Sequence, residues 1–368
     1  MPSDKTEHFM AMKGDGYYSK ATTGAREVIN GAQPLIISAV DRLNLAGGRG
    51  PIRISDMGCA DGGTSLDMWR SVLAHIRALA PQRPIEIVYT DLPRNDFSQL
   101  FRTIHNQTAA RSYFGEVAGV FPFASATSFH DPIVPPEALD LGFSSTASHY
   151  LSRTPCNIPD HVHMVGASGA AREAFAAQGA RDWQAFLLNR ARELRPGGRL
   201  CLFNFGIDEE GRYLGNTGGV NMFDTFSRLW RQMADEGRIT LAEYERTNFP
   251  QHYRTMAEFI GPLNDDGHPV HRAGLRLEHV ESRVVPCPYA RDYAVHLDAA
   301  RFARHYIPTL RSWSEPVFAA GLDPSRSPDD KARIIDAFYA RYEALVAASP
   351  RGHGMDYVHI YLVIRKES

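Results

Sequence analysis

Residues 54–65, Ile54-Ser55-Asp56-Met57-Gly58-Cys59-Ala60-Asp61-Gly62-Gly63-Thr64-Ser65 (ISDMGCADGGTS), carry an apolar run into a glycine turn and then into a helix-forming stretch. Turns of this kind bring backbone N–H groups and a helix N-terminus against nucleotides, so the guest of the turn decides the fold. A phosphate-cradling loop needs the pattern GxxxxGK[ST], and no Lys follows these glycines. A dinucleotide fingerprint begun at Gly58 needs glycine at position 60, where Ala60 stands, although Gly63 suits the third place. What remains is Asp56-x-Gly58-x-x-x-Gly62 after one strand, with an acid, Asp91, ending the next. Enzymes that use S-adenosylmethionine share this layout. Glycine lets the backbone approach a methionyl group, the helix N-terminus favours its carboxylate, and the acid accepts two ribose hydroxyls.

Working outward, 52–57 and 85–90 are short β-rich runs, and between them Leu66, Trp69, Leu73 and Ile76 share one helical face. That βαβ unit is expected to be parallel and right-handed. A third strand is expected at 139–143. Beyond it, 182–206 reads as a helix capped by Asp182, a Pro-Gly-Gly stop and a strand at 199–205. Further strands are expected at 276–285 and 356–364. Residues 216–246 and 290–346 have helical periodicity without strands between them. The expected architecture is α/β, a Rossmann-like class I methyltransferase sheet with an α-helical cap. Its core would comprise 1–214, 247–289 and 350–368; a cap over the substrate pocket would comprise 215–246 and 290–349.

Composition excludes several classes. A formal charge of -2 over 368 residues provides no basic footprint for nucleic acid. No apolar run approaches the roughly 18 residues of a membrane span, and the N-terminus lacks a signal-peptide core. Cys59, Cys156, Cys201 and Cys287 are widely spaced, which suits reduced thiols in a cytoplasmic protein better than a disulfide or zinc framework. His161-x-His163 has no acidic or cysteine partner at ligand spacing, Asp265-Asp266-Gly267-His268 is turn chemistry, and no GxSxG elbow is present, so no metal site or serine hydrolase is expected.

Longer motifs sharpen the class. MKGDGYYSK at 12–20 resembles the MxGGxGxxSYA opening of the SABATH carboxyl methyltransferases (the salicylate, benzoate, jasmonate and theobromine type). ISDMGCADGG is similar to that family's IADLGCSSGP, and TDLPRNDFSQLFRTI at 90–104 to its NDLPxNDFNxLFxxL. Residues 127–155 follow GSFYxRLFPxxSLxxxHSSYSLHWLSxxP without a gap, and 182–200 and NFPQHY at 248–253 come in the same order. The chain is identified as a divergent, microbial-looking member of that family.

The resemblance implies S-adenosylmethionine as methyl donor, a homodimer and a small-molecule carboxylic acid as substrate. It implies cofactor contacts at Ser19 and Lys20, and at Cys59 and Thr64 for the methionyl part. Asp91 and Leu92 would hold the ribose and adenine edge, Ser128 and Phe129 the adenine, while Asp56 and Gly58 shape the turn. Substrate-lining positions fall at Ala25, His149, Tyr150, Phe205, Met222, Phe223, His252, Leu310, Trp313 and Tyr357. Two departures stand out. Tyr150 replaces the family's carboxylate-binding Trp and can still donate a hydrogen bond. Ala25 replaces its Gln and cannot, leaving Thr22, Thr23 or another group to supply the second donor.

A carboxylate with pKa near 4 arrives ionised and needs no general base. The expected activity is therefore in-line methylation of a small aromatic or hydrophobic acid to its methyl ester, with Tyr150 and His149 orienting the acid. Two rivals stay open. One is N-methylation of a heteroaromatic ring, with His149 accepting the proton; the other is a binding protein that has lost turnover.

Overall fold

A computed structural model describes residues 23–45 and 50–367. Helix α1 (Thr23–Asp41) leads into strand β1 (Ile52–Met57), helix α2 (Leu66–Leu79) and strand β2 (Ile85–Asp91). Helix α3 (Phe97–Ile104), strand β3 (Val120–Ala126) and strand β4 (Leu139–Ser145) follow, then the long helix α4 (Gly169–Glu193) and strand β5 (Leu194–Ile207). Helices α5 (Met222–Asp235) and α6 (Leu241–Arg246) precede the two-residue strand β6 (Arg254–Thr255), α7 (Met256–Asn264), α8 (Pro269–Arg272) and β7 (Leu275–Val285). Three helices, α9 (Pro288–His296), α10 (Ala299–Gly321) and α11 (Pro328–Ala348), then lead to the last strand, β8 (Tyr357–Lys366).

The strands lie in the order β3-β2-β1-β4-β5-β8-β7, with β6 pairing beside the end of β5. The first five are parallel, and β8 is inserted antiparallel between β5 and β7. This is the Rossmann-like class I methyltransferase sheet. Successive residues of β5 point to opposite faces, as a strand requires. Cys201 and Phe203 join the apolar layer of α1 and α2, while Leu200 and Leu202 join Trp183, Phe186 and Phe259 on the other side. Strand order reverses between β1 and β4, which opens a crevice at their carboxyl ends. The turn at 58–65 sits at that crevice.

Three expectations need correction. Strand β3 was not anticipated: it contains Pro122, lies at the sheet edge, and leaves Phe121 and Phe123 about half exposed. Asp182 is not an N-cap, because α4 begins at Gly169 and Asp182 lies in its middle. Its carboxylate instead accepts from Ser152 N at 2.9 Å, Ser152 Oγ at 2.7 Å and Gln178 Nε2 at 2.8 Å, tying the helix to the loop after β4. Third, β5 already begins at Leu194, and the Pro-Gly-Gly stretch forms an irregularity within it rather than a stop before it.

Candidate active site

The glycine turn is built from underneath. The Asp56 carboxylate, buried at the end of β1, accepts from Ser65 Oγ at 2.8 Å and Trp69 Nε1 at 2.7 Å. These bonds fasten the start of α2 to the strand. Burial raises the Asp56 pKa to about 6, against the lowering by its two donors. Asp56 thus stands behind the turn and outside the cleft. Gly58 has φ +79°, a left-handed conformation, and a Cβ there would come within 2.5 Å of the Ala147 Cβ. Only glycine allows β1 and the loop after β4 to close so tightly.

Ala60 also has positive φ, at 48°, a conformation costing an L-residue about 1–2 kcal/mol. Two groups from the TDLPRNDF segment hold it. Asp91 Oδ2 accepts from Ala60 N at 2.7 Å, and Asn95 Nδ2 donates to Ala60 O at 2.9 Å. The second Asp91 oxygen accepts from Leu92 N at 2.8 Å. Burial pushes the Asp91 pKa up and the two N–H donors counter it. Burial likewise raises the Cys59 thiol well above its usual range, so the sulfur is a neutral lining atom.

On the far side, the loop after β3 is anchored by a buried pair. Arg190 and Glu193 of α4 meet at 2.7 Å, Arg190 donates to the carbonyls of Phe129 and Asp131, and Glu193 accepts from Ile133 N. A buried ion pair adds little net stability, yet with each partner also bonded to backbone it holds one loop conformation.

A cleft with about 960 Å³ of empty space, its open mouth included, lies between these parts. Gly58, Cys59, Thr64, Asp91, Leu92, Ser128 and Phe129 line it, as do Ala25 of α1 and Tyr150. Asn95, His130, Thr146 and Pro250 line it as well and were not singled out from sequence. Asn95 sits inside the motif that drew attention to Asp91, so the signal for it was present. Ser19 and Lys20 lie outside the described residues.

A second cavity, of about 370 Å³ with its open mouth included, adjoins the first, and Thr146 and Tyr150 line both. Its walls include His149, Phe205, Trp313 and Tyr357, together with Leu214, Gln251, Tyr253 and Met355, which sequence reasoning missed. Among these described lining residues there is no Lys, Arg, Asp or Glu. Burial, helped by His359 and Arg254, holds the His149 imidazole well below the usual histidine range, so it is neutral. Its Nδ1 has no hydrogen-bond partner among the described residues.

Four expected substrate contacts fall behind the walls. Met222 and Leu310 are buried outside both cavities. Phe223 stacks on His163 at a centroid separation of 3.8 Å and meets Trp313 edge-on, so it backs the wall rather than forming it. His252 faces α4: its ring occupies the space beside Gly179, and Nε2 lies 3.6 Å from a Glu258 oxygen. The cause is strand-like alternation across NFPQHY. Leu151 N donates to Pro250 O and His252 N to His149 O, which pairs Tyr150 with Gln251. Gln251 therefore faces the cavity and its neighbour His252 faces away.

A family model described as SAM dependent carboxyl methyltransferase matches residues 6–367. Gibberellic acid methyltransferase 1 of Arabidopsis thaliana is 26% identical over 318 residues, covering 77% of this chain and 79% of that relative. The O-methyltransferase acrG of Aspergillus aculeatus is 28% identical over 334 residues, covering 86% of this chain and 85% of its own. Among solved structures, loganic acid methyltransferase with SAH superposes with a TM-score of 0.75 at 19% identity, covering 97% of this chain and 99% of that one. At that identity the likeness establishes the fold.

Proposed function

Because the chain belongs to the S-adenosylmethionine-dependent carboxyl methyltransferase family, we propose that it converts a small aromatic or hydrophobic carboxylic acid to its methyl ester. The observation that carries this reading is the pair of cavities meeting at Thr146 and Tyr150. One holds the glycine turn and Asp91; the other is aromatic and without formal charge.

The residues present suit the methyl donor. Each Asp91 oxygen already accepts one N–H and keeps a second lone pair for a ribose hydroxyl. Gly58, which lacks a Cβ, lets Ala147 close onto the turn with the Phe129 ring beside it. Thr64, Leu92, Ser128 and Phe129 complete the cofactor side. When bound, S-adenosylmethionine supplies an electrophilic methyl group on its sulfonium.

The protein's own task is then placement. An ionised acid needs no residue to take its proton, so neither Tyr150 nor His149 acts as acid or base in this reading. Tyr150, on the boundary between the cavities, would donate its phenol hydrogen to the carboxylate. Phe205, Trp313 and Tyr357 hold the apolar body and exclude water. Orientation of this kind can account for about 7–11 kcal/mol of barrier lowering. The segments 215–246 and 290–349, which hold α5, α6, α9, α10 and α11, act as the cap in this reading, and Trp313 is their contribution to the wall. A homodimer follows from the family resemblance and is checked by light scattering.

Incubating the protein with labelled S-adenosylmethionine and a panel of aromatic and aliphatic acids tests the proposal. Base-labile labelled esters are expected; silence across the panel in a protein that binds the cofactor would refute it. The neutral His149, whose Nδ1 has no partner among the described residues, favours one second reading, N-methylation of a heteroaromatic ring with His149 as proton acceptor. Base-stable labelled products would select it.

A further inference from the structure

The ester reading leaves a gap at Ala25, whose methyl group cannot donate to a carboxylate. We infer that Gln251 supplies the missing donor, from the second cavity and a different part of the chain. This inference rests on the proposed carboxylate substrate.

Three observations lead to it. Gln251 lines the second cavity and is 1% exposed. It is also paired with Tyr150 in an isolated antiparallel bridge, flanked by the Leu151 N to Pro250 O and His252 N to His149 O bonds. In that register the two residues form a non-hydrogen-bonded pair, whose side chains leave one face with Cβ atoms about 4.5–5.5 Å apart. A group bonded to Tyr150 from within the cavity is therefore in reach of Gln251.

The third observation settles which end of the amide is presented. Burial keeps His163 neutral. Its Nδ1 accepts from Val165 N at 3.3 Å, so the ring hydrogen sits on Nε2. That Nε2 donates to Gln251 Oε1 at 3.2 Å, and the Tyr253 hydroxyl donates to the same oxygen at 3.4 Å. With Oε1 engaged by two donors, the amide orientation is fixed. No described residue accepts from Nε2, and its two hydrogens are left for the cavity. An NH₂ group beside a phenol forms a two-donor clamp that matches the two oxygens of a carboxylate.

The test compares the wild type with Gln251→Glu and Gln251→Leu, using the best acid from the panel and its primary carboxamide as a competitive inhibitor. A hydrogen bond from a neutral donor to a charged acceptor predicts that Gln251→Leu loses about 10- to 100-fold in kcat/KM for the acid. Gln251→Glu keeps the shape but repels the carboxylate, and should invert the preference for acid over carboxamide. Cofactor affinity, measured by calorimetry, should stay within about threefold in both, since Gln251 lines only the second cavity. An acid-to-carboxamide preference unchanged in Gln251→Glu overturns the role of Gln251, and this ratio is insensitive to a general loss of stability. A wild type that binds the cofactor and esterifies none of the acids overturns the carboxylate reading itself, and Gln251 with it.

Discussion

Replacing Asp91 by Ala asks the most of the cofactor assignment. In the folded protein each carboxylate oxygen holds one backbone N–H, that of Ala60 at 2.7 Å and that of Leu92 at 2.8 Å. The substitution removes two different things: the acceptors for a ribose diol, and the brace on a residue held at positive φ. Two charge-assisted hydrogen bonds at about 1.5–3 kcal/mol each correspond to about 3–6 kcal/mol, or roughly a 10²- to 10⁴-fold rise in Kd. Asp91→Asn is not a gentle control, because either orientation of its amide sets an NH₂ against one of the two N–H donors. Isothermal titration calorimetry with S-adenosylmethionine measures the effect, and circular dichroism checks that the variant is folded. A folded Asp91→Ala protein with Kd within threefold of the wild type would refute the reasoning.

Two further predictions concern Tyr150 and Asp56. Tyr150→Phe should lower kcat for ester formation by about tenfold or more, the worth of one hydrogen bond to a charged group, while leaving cofactor affinity unchanged; full activity would remove Tyr150 from the clamp. Asp56 binds its proton more tightly folded, with a pKa of about 6, than unfolded, at about 3.9. The group therefore favours folding most below about pH 4, and that contribution is lost as pH rises through about 6. The shift corresponds to about 3 kcal/mol. Asp56→Asn keeps an acceptor for Ser65 and Trp69 and has no charge to bury, so denaturation midpoints between pH 4 and 7 should flatten; an unaltered pH slope would contradict the assignment.

Legibility in the sequence followed the physics of each element. Strands β1 and β2 were readable because they are buried, β-rich runs that lead into the glycine turn and the TDLPRNDF segment. Strand β3 was not, since an edge strand with Pro122 and exposed Phe121 and Phe123 lacks the apolar pattern that burial imposes. The first cavity was legible because its motifs are contiguous: residues 58–64, 91–95 and 128–129 each deliver several lining groups together. The second cavity draws single residues from distant elements. An apolar residue such as Phe223 or Leu310 looks the same in sequence whether it touches the cavity or backs it. The choice between Gln251 and His252 depended on strand parity, and that is set by the pairing with Tyr150. Asp182 was misread because its acceptors' partners, Ser152 and Gln178, are fixed only by the tertiary fold.

If the second cavity receives a carboxylate as proposed, the absence of a cation from its described walls has a consequence for product escape. Methyl transfer cancels the negative charge of the acid against the positive charge of the sulfonium, leaving an uncharged ester and an uncharged thioether. An opposing Lys or Arg would then be stranded in apolar surroundings, and either it or the newly made ester would have to rehydrate before the next cycle. Neutral hydroxyl, amide and imidazole groups lose only hydrogen-bond strength when the acid becomes an ester. The site returns to its starting electrostatic state as soon as the methyl group has moved, so turnover leaves no charge to be neutralised.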